Sequence, residues 1–341
     1  MKNTIKFYSA LIFFLSPLLL NAQGKIRTFA KHSSFDAITV HPGGDKFITG
    51  ERGNLDLWDI KTGEKIRTYT RAGSHDTLVF LPDGKRFIAP SGGYLDLWDT
   101  ESGVKLRTYT KMGTHETIAL LPDGKRFIAS SGGDLDLWDI ESGEKLKTYT
   151  RMGTHEIVAV LPDGKRFIAP STGYLDLWNV ESGVKLKTYV KMGTHEAITL
   201  LPDGKRFIAT SGGDLDLWDI ESGKKLKTYT SLGSHEFIAL LADGKKFIAP
   251  SGGYLDLWDT ESGEKLRTFT KFGSHVAIAV LPDEKRFIAP SEGSLDLWDI
   301  ESGEKLYTFT NFGSHANIEL LPDGKRFIAT SEGDLDLWSV E

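Results

Sequence analysis

Residues 131–150 read SGGDLDLWDIESGEKLKTYT, and residues 211–230 repeat them with one change, SGGDLDLWDIESGKKLKTYT. Looser copies fill the chain on either side. Trp58, Trp98, Trp138, Trp178, Trp218, Trp258, Trp298 and Trp338 keep the register at an unbroken spacing of 40 residues. That period suits both four-stranded propeller blades and helical HEAT-type repeats. The residues between the tryptophans decide the matter. Phe127-Ile128-Ala129 and Leu135-Asp136-Leu137-Trp138 are short β-rich runs bounded by Gly, Ser and Asp, and no segment carries the i, i+3, i+4 apolar recurrence of a helix.

One unit divides into four strands, a to d: Glu116–Leu121, Arg126–Ala129, Leu135–Trp138 and Lys145–Tyr149. Pro122-Asp123-Gly124 turns the chain between a and b, because Pro presets φ and Gly supplies the left-handed residue. Gly143 does the same between c and d. In strand c, Leu135 and Leu137 share one face while Asp136 and Trp138 share the other. Both faces therefore carry large apolar groups, as a sheet covered on both sides requires, and eight such sheets stacked around an axis cover one another. Each buried Trp contributes about 2–3 kcal/mol.

The ends of the chain sharpen the count. Residues 24–30, GKIRTFA, form a strand d with no a, b or c before it. Residues 335–341, LDLWSVE, form a strand c with no d after it. The first strand must complete the last blade. The expected fold is all-β: an eight-bladed propeller over residues 24–341, closed into a monomeric ring by its N-terminal strand.

LPDGKRFIA (121–129), LDLWDIESGEKL (135–146) and the GTH/GSH tripeptide before strand a resemble the WD-repeat (Trp-Asp repeat) propellers of the bacterial exported type. The resemblance covers nearly all of residues 24–341 and implies a scaffold for protein or peptide partners. Two departures stand out. His115 lies only seven residues before Pro122, and the b–c loop lacks an Asp at the family's distance before Trp. The family's Asp-His-Ser/Thr-Trp hydrogen-bond network is therefore not carried over.

Residues 1–23 stand apart from the repeats. Lys2 and Lys6 precede the short apolar run Ala10–Leu20, and Ala22 sits where a signal peptidase prefers a small residue. A cleaved secretory signal is expected, placing the protein in the periplasm or outside the cell, with no membrane span in the mature chain. Net charge is −6 with no basic stripe, which argues against nucleic acid as partner. The absence of cysteine excludes disulfides, thiol catalysis and Cys-ligated zinc.

Three repeated positions are candidates for chemistry. His75, His115, His155, His195, His235, His275 and His315 recur before strand a, near one mouth of the central channel, where a ring of imidazoles suits a metal or an anion. An eightfold ring nevertheless holds its ligands too far apart for one ion, and the simpler expectation is a hydrogen bond within each blade. Four residues before each Trp, Tyr94, Tyr174 and Tyr254 alternate with Asp134 and Asp214. These tyrosines can stack on a sugar or grip a peptide, or simply pack on Pro90, Pro170 and Pro250. Asp56 and its seven equivalents in strand c fit inter-strand ion pairs better than catalysis.

The departures from the repeat (Phe35, His41, Arg52, Asn179, Ala242, Glu284) look scattered and converge on no site. Nothing resembles a nucleophile elbow, a phosphate loop or a dinucleotide fingerprint. A non-enzymatic, cofactor-free binding or scaffold protein is expected. A multivalent lectin is the alternative, and a channel-mouth hydrolase or lyase is a more distant one.

Overall fold

Every 40-residue unit forms the four strands its sequence calls for. The computed structural model describes residues 23–341 except 32, 34, 52, 72–76, 92–93, 112–116, 132, 150–156, 172–173, 192–196, 212–213, 230–236, 252, 272–276, 292, 312–316 and 332. In blade three the strands are Ile118–Leu120, Arg126–Ser131, Asp134–Asp139 and Lys145–Tyr149, antiparallel in the order a-b-c-d. Eight such sheets make an eight-bladed β-propeller, with no helix among the described residues. None of the described residues therefore forms a helix long and apolar enough to cross a membrane.

The closing blade is built from both ends of the chain. Gly24–Ala30 pairs antiparallel with Asp334–Ser339, with Gly24 opposite Ser339 and Ala30 opposite Leu335. It occupies the outer position that Lys145–Tyr149 holds in blade three.

The inner strands of adjoining blades approach one another around the axis. The core lies between blades, one cluster at each interface. Between blades two and three, Leu95 and Leu97 of one strand c meet Phe127, Ala129 and Trp138 of the next blade. Every strand c is buried on both faces, as its Leu-Asp-Leu-Trp pattern requires. Tyr109 of blade two meets both Phe127 and Trp138 of blade three edge-on, at 4.8 and 5.7 Å between centroids.

The turn residues behave as their chemistry demands. Gly124 adopts φ 65° in the a–b turn, where its N–H bonds the Leu121 carbonyl at 3.0 Å. One position breaks the rule: Glu284 takes the same left-handed conformation, with φ 55°, where other blades have Gly. The neighbouring turn departs from the repeat as well. A β-carbon on Gly244 would come within 2.7 Å of Pro202, and one on Gly324 within 2.8 Å of Pro282. Gly44, Gly124, Gly164 and Gly204 also face the proline of the preceding blade, at 3.2–3.9 Å, and Gly84 meets His41 instead. The same register sets Glu284 opposite residue 242, which is Ala rather than Pro. Two departures that look unrelated in the sequence therefore face each other across one blade interface.

Candidate functional site

Strand direction sorts the loops into two faces. The b–c loops and the d–a connections emerge on one rim, and the a–b and c–d turns on the other. All three candidate tyrosines begin a strand c, so they stand on the first rim. Tyr94, Tyr174 and Tyr254 are 47, 46 and 40% exposed. Packing on Pro90, Pro170 or Pro250 does not bury them. In register each tyrosine faces Ser91, Ser171 or Ser251 on strand b and Lys111, Lys191 or Lys271 on strand d. They occupy blades two, four and six, while blade eight has Asp334 at the aligned position.

His75, His115, His155, His195, His235, His275 and His315 lie outside the described residues, as do residues 1–22 with the expected signal. Among the described residues, no three His, Asp or Glu side chains gather closely enough to hold a metal ion. His41, a departure of blade one, is occupied locally. Its Nδ1 accepts from the Gly43 N–H at 3.0 Å and lies 3.0 Å from Asp45, while Nε2 lies 3.1 Å from the Gly84 carbonyl oxygen.

The strand c aspartates are structural. Each is buried, and in every blade it accepts a hydrogen bond from a strand d threonine at 2.5–2.6 Å. Its second oxygen pairs with a strand d lysine at 2.7–3.3 Å. That lysine also lies 5.1–5.9 Å from the centre of the blade's Trp ring, within cation–π range. A buried carboxylate is tolerated only when paired and hydrogen-bonded, and this Asp-Thr-Lys set supplies both. The ion pair was legible in the sequence; the threonine was not, because its role depends on the register of strand d.

A bulge in strand d has a second consequence. Trp138 pairs with Lys145 and Leu137 with Lys147, which leaves Leu146 unpaired and exposed. The outer strands accordingly present Ile26, Ile66, Leu106, Leu146, Leu186, Leu226, Leu266 and Leu306 to solvent.

Blades are tied to one another at the lower rim. Arg86, Arg126, Arg166 and Arg206 each reach a glutamate of the next blade, at 2.5–2.7 Å. Tyr109, Tyr149 and Tyr229 donate their phenols to a carbonyl of the next blade, at 2.6–3.1 Å. Burial pushes these phenols well above the usual tyrosine range. The Trp side chains differ in their hydrogen bonding. Trp58 donates its indole N–H to Thr49 at 3.0 Å, whereas the other seven buried indole N–H groups have no partner among the described residues.

The arrangement defines an eight-bladed β-propeller of four-stranded antiparallel blades. Among solved structures, the chain resembles the C-terminal WD40 domain of Sif2 with a TM-score of 0.76 and 14% identity, over 94% of this chain and 99% of that one. It also resembles the computationally designed Ika8 protein, with a TM-score of 0.72 and 16% identity, over 94% and 100% of the two chains. Both likenesses are likenesses of fold. No family model and no curated protein matches the chain.

Proposed function

We propose that this chain is an exported, non-enzymatic binding protein whose propeller offers the rim of its b–c loops and d–a connections to a protein or peptide partner. The observation that carries the reading is the exposure of Tyr94, Tyr174 and Tyr254, at 40–47%, on a molecule whose other strand c apolar side chains are buried. Large aromatic groups left in water on one face are the usual anchors of a recognition surface. Three copies on alternate blades let weak contacts add through multivalency. The apolar N-terminal run and the two lysines before it support export to the periplasm or beyond. The WD40-type fold supports a scaffold working as a monomeric ring.

The same exposed rings support a second reading, a multivalent glycan-binding propeller, because tyrosine faces stack on sugars. One experiment addresses both. The wild-type protein and the Tyr94→Ala/Tyr174→Ala/Tyr254→Ala variant are compared on a glycan array and against partners captured from the envelope and secreted fractions, with each partner's Kd remeasured in purified form. The expected result is a protein partner whose affinity falls at least about tenfold in the triple variant, with the melting temperature unchanged. Binding confined to glycans and lost in the triple variant turns the assignment to the lectin. Partner and glycan binding that ignore all three substitutions remove the rim reading altogether.

A further inference from the structure

Inner-strand residues at one position of the repeat point at the neighbouring blade. Thr39 bonds the Leu78 carbonyl of blade two at 3.2 Å, and Thr199 bonds the Ile238 carbonyl of blade six at 3.2 Å. The aligned residues in the other blades are Val79, Ala119, Ala159, Ala239, Ala279 and Glu319. Seven of the eight are small or uncharged, and one is a glutamate. Glu319 belongs to the closing blade, on the strand Ile318–Leu320, and by the same register it is directed at the inner strand Phe35–Val40 of blade one. Those two strands adjoin across the seam of the ring, where Asn317 Nδ2 also donates to the Phe35 carbonyl at 3.1 Å.

The surroundings of Glu319 are apolar. It pairs in register with Ile328 on strand b, and the Ala279–Val280 strand of blade seven lies on its other side. It remains partly exposed. Its carboxyl has neither a hydrogen-bond nor an ion-pair partner among the described residues. Charged residues are few on the strands packed against it. Arg326 is engaged by Asp323 at 2.7 Å, and Asp36 lies three positions before Thr39 on the blade-one strand.

We propose that Glu319, on the inner strand of the closing blade, anchors a binding site for an alkylammonium group at the seam with blade one. A carboxylate set between apolar strands, with no partner among the described residues, is an unfavourable arrangement until a cation meets it. Divalent metals are the wrong cation, because calcium and magnesium need six or more oxygens and zinc needs several nitrogen or sulfur ligands. An alkylammonium group needs a single carboxylate, and its hydrocarbon stem matches walls of Ile, Val and Ala. This site is separate from the tyrosine rim and stands or falls without it.

Both a free amine and a lysine side chain carry this head group, and two arms separate them. Cadaverine is titrated into the full chain by calorimetry at constant ionic strength, with pentanol as the uncharged control. An extended ten-residue peptide with a single internal lysine forms the second arm. The expected result is saturable binding in at least one arm, no binding of pentanol, and affinity about tenfold or more lower in Glu319→Gln. Affinity in the wild type should also rise between pH 6 and 8, as the carboxyl ionises while the amine stays charged. Near-UV dichroism of the tryptophans confirms that each variant is folded, and Glu319→Asp, which keeps the charge, should retain part of the binding. No saturable binding in either arm, or binding that Glu319→Gln leaves unchanged, overturns the proposal.

Discussion

Thr28 donates its hydroxyl to Asp336 at 2.6 Å, a bond between residues 308 positions apart in the chain. It is the same bond that Thr148 makes to Asp136 within one blade. The closing strand is therefore chemically a strand d, with Lys25 pairing Asp336 at 2.8 Å and lying 5.2 Å from the Trp338 ring. The ring is closed by reusing a local motif at long range.

Deleting Gly24–Ala30 should strip Asp336 of both partners and uncover the last blade's strand c. Breaking a buried ionic set by removing one side costs about 3–5 kcal/mol, and exposed core adds to that. We expect a fall in melting temperature of well over ten degrees by calorimetry. An unchanged melting curve would contradict closure by this strand.

Filling the missing half of the Trp contact should stabilise the protein. Blade one has Thr49 beside Trp58, while blade three has Ala129 opposite Asp136 at the aligned position and leaves the Trp138 N–H without a partner. Ala129→Ser adds one oxygen at that place. A new buried hydrogen bond is worth about 1 kcal/mol, and Thr49→Ala should lose about 1–2 kcal/mol by orphaning Trp58. Urea unfolding of the two variants gives both numbers, and opposite signs are required.

The a–b turns of blades six and seven should prove coupled. Glu284→Gly relieves a left-handed conformation that costs a non-glycine residue about 1–2 kcal/mol. Where the facing turns sit as close as those at Gly244 and Gly324, Ala242→Pro should stabilise less beside Glu284 than beside Gly at 284, where it should add about 0.4–1 kcal/mol. A double-mutant cycle in denaturant measures the coupling, and strict additivity would refute the facing arrangement.

Burial pushes the Glu319 carboxyl up to about 7. A carboxyl with a folded value above its unfolded one binds its proton more tightly in the native state, so it favours folding at low pH. That contribution is lost as pH climbs from about 4.5 to 7 and stays lost above, a change of about 3 kcal/mol. Glu319→Gln should accordingly match the wild type near pH 4 and exceed it at pH 8. Chemical denaturation at the two pH values checks this, and a gain equal at both would rule it out.

The acidic limb should have a different origin. In the c–d turns, the Ser142 backbone N–H and hydroxyl hold the Asp139 carboxyl below the usual range, and Asp99, Asp219 and Asp299 are held likewise. Their contribution is present above the unfolded aspartate value and is lost as pH falls through the depressed folded one. Asn179 accepts the same two bonds from Ser182, each at 2.8 Å, with no charge to titrate. Asp139→Asn should therefore keep the turn and flatten the acid dependence of stability. A steeper loss at low pH in this variant would count against that origin.

Strand number, strand order, ring closure and the inward tryptophans were all legible in the sequence, because each rests on local chemistry repeated at a fixed period. Alternating Leu-Asp-Leu-Trp needs two covered faces, Gly and Pro mark the turns, and a stray strand at each end needs the other. The ion pairs of the strand c aspartates follow from the same local reading. What crosses from one blade to the next was decided only by the folded chain. Glu284 facing position 242, the threonine beneath each aspartate, and Glu319 directed at the seam depend on stagger between sheets. Chain order does not encode that stagger, since residues 40 apart become neighbours only when the ring closes. The tyrosines sit on the boundary between the two. Their spacing could be read from the chain, but that their rings stay in water was decided only by how the folded strands and loops surround them.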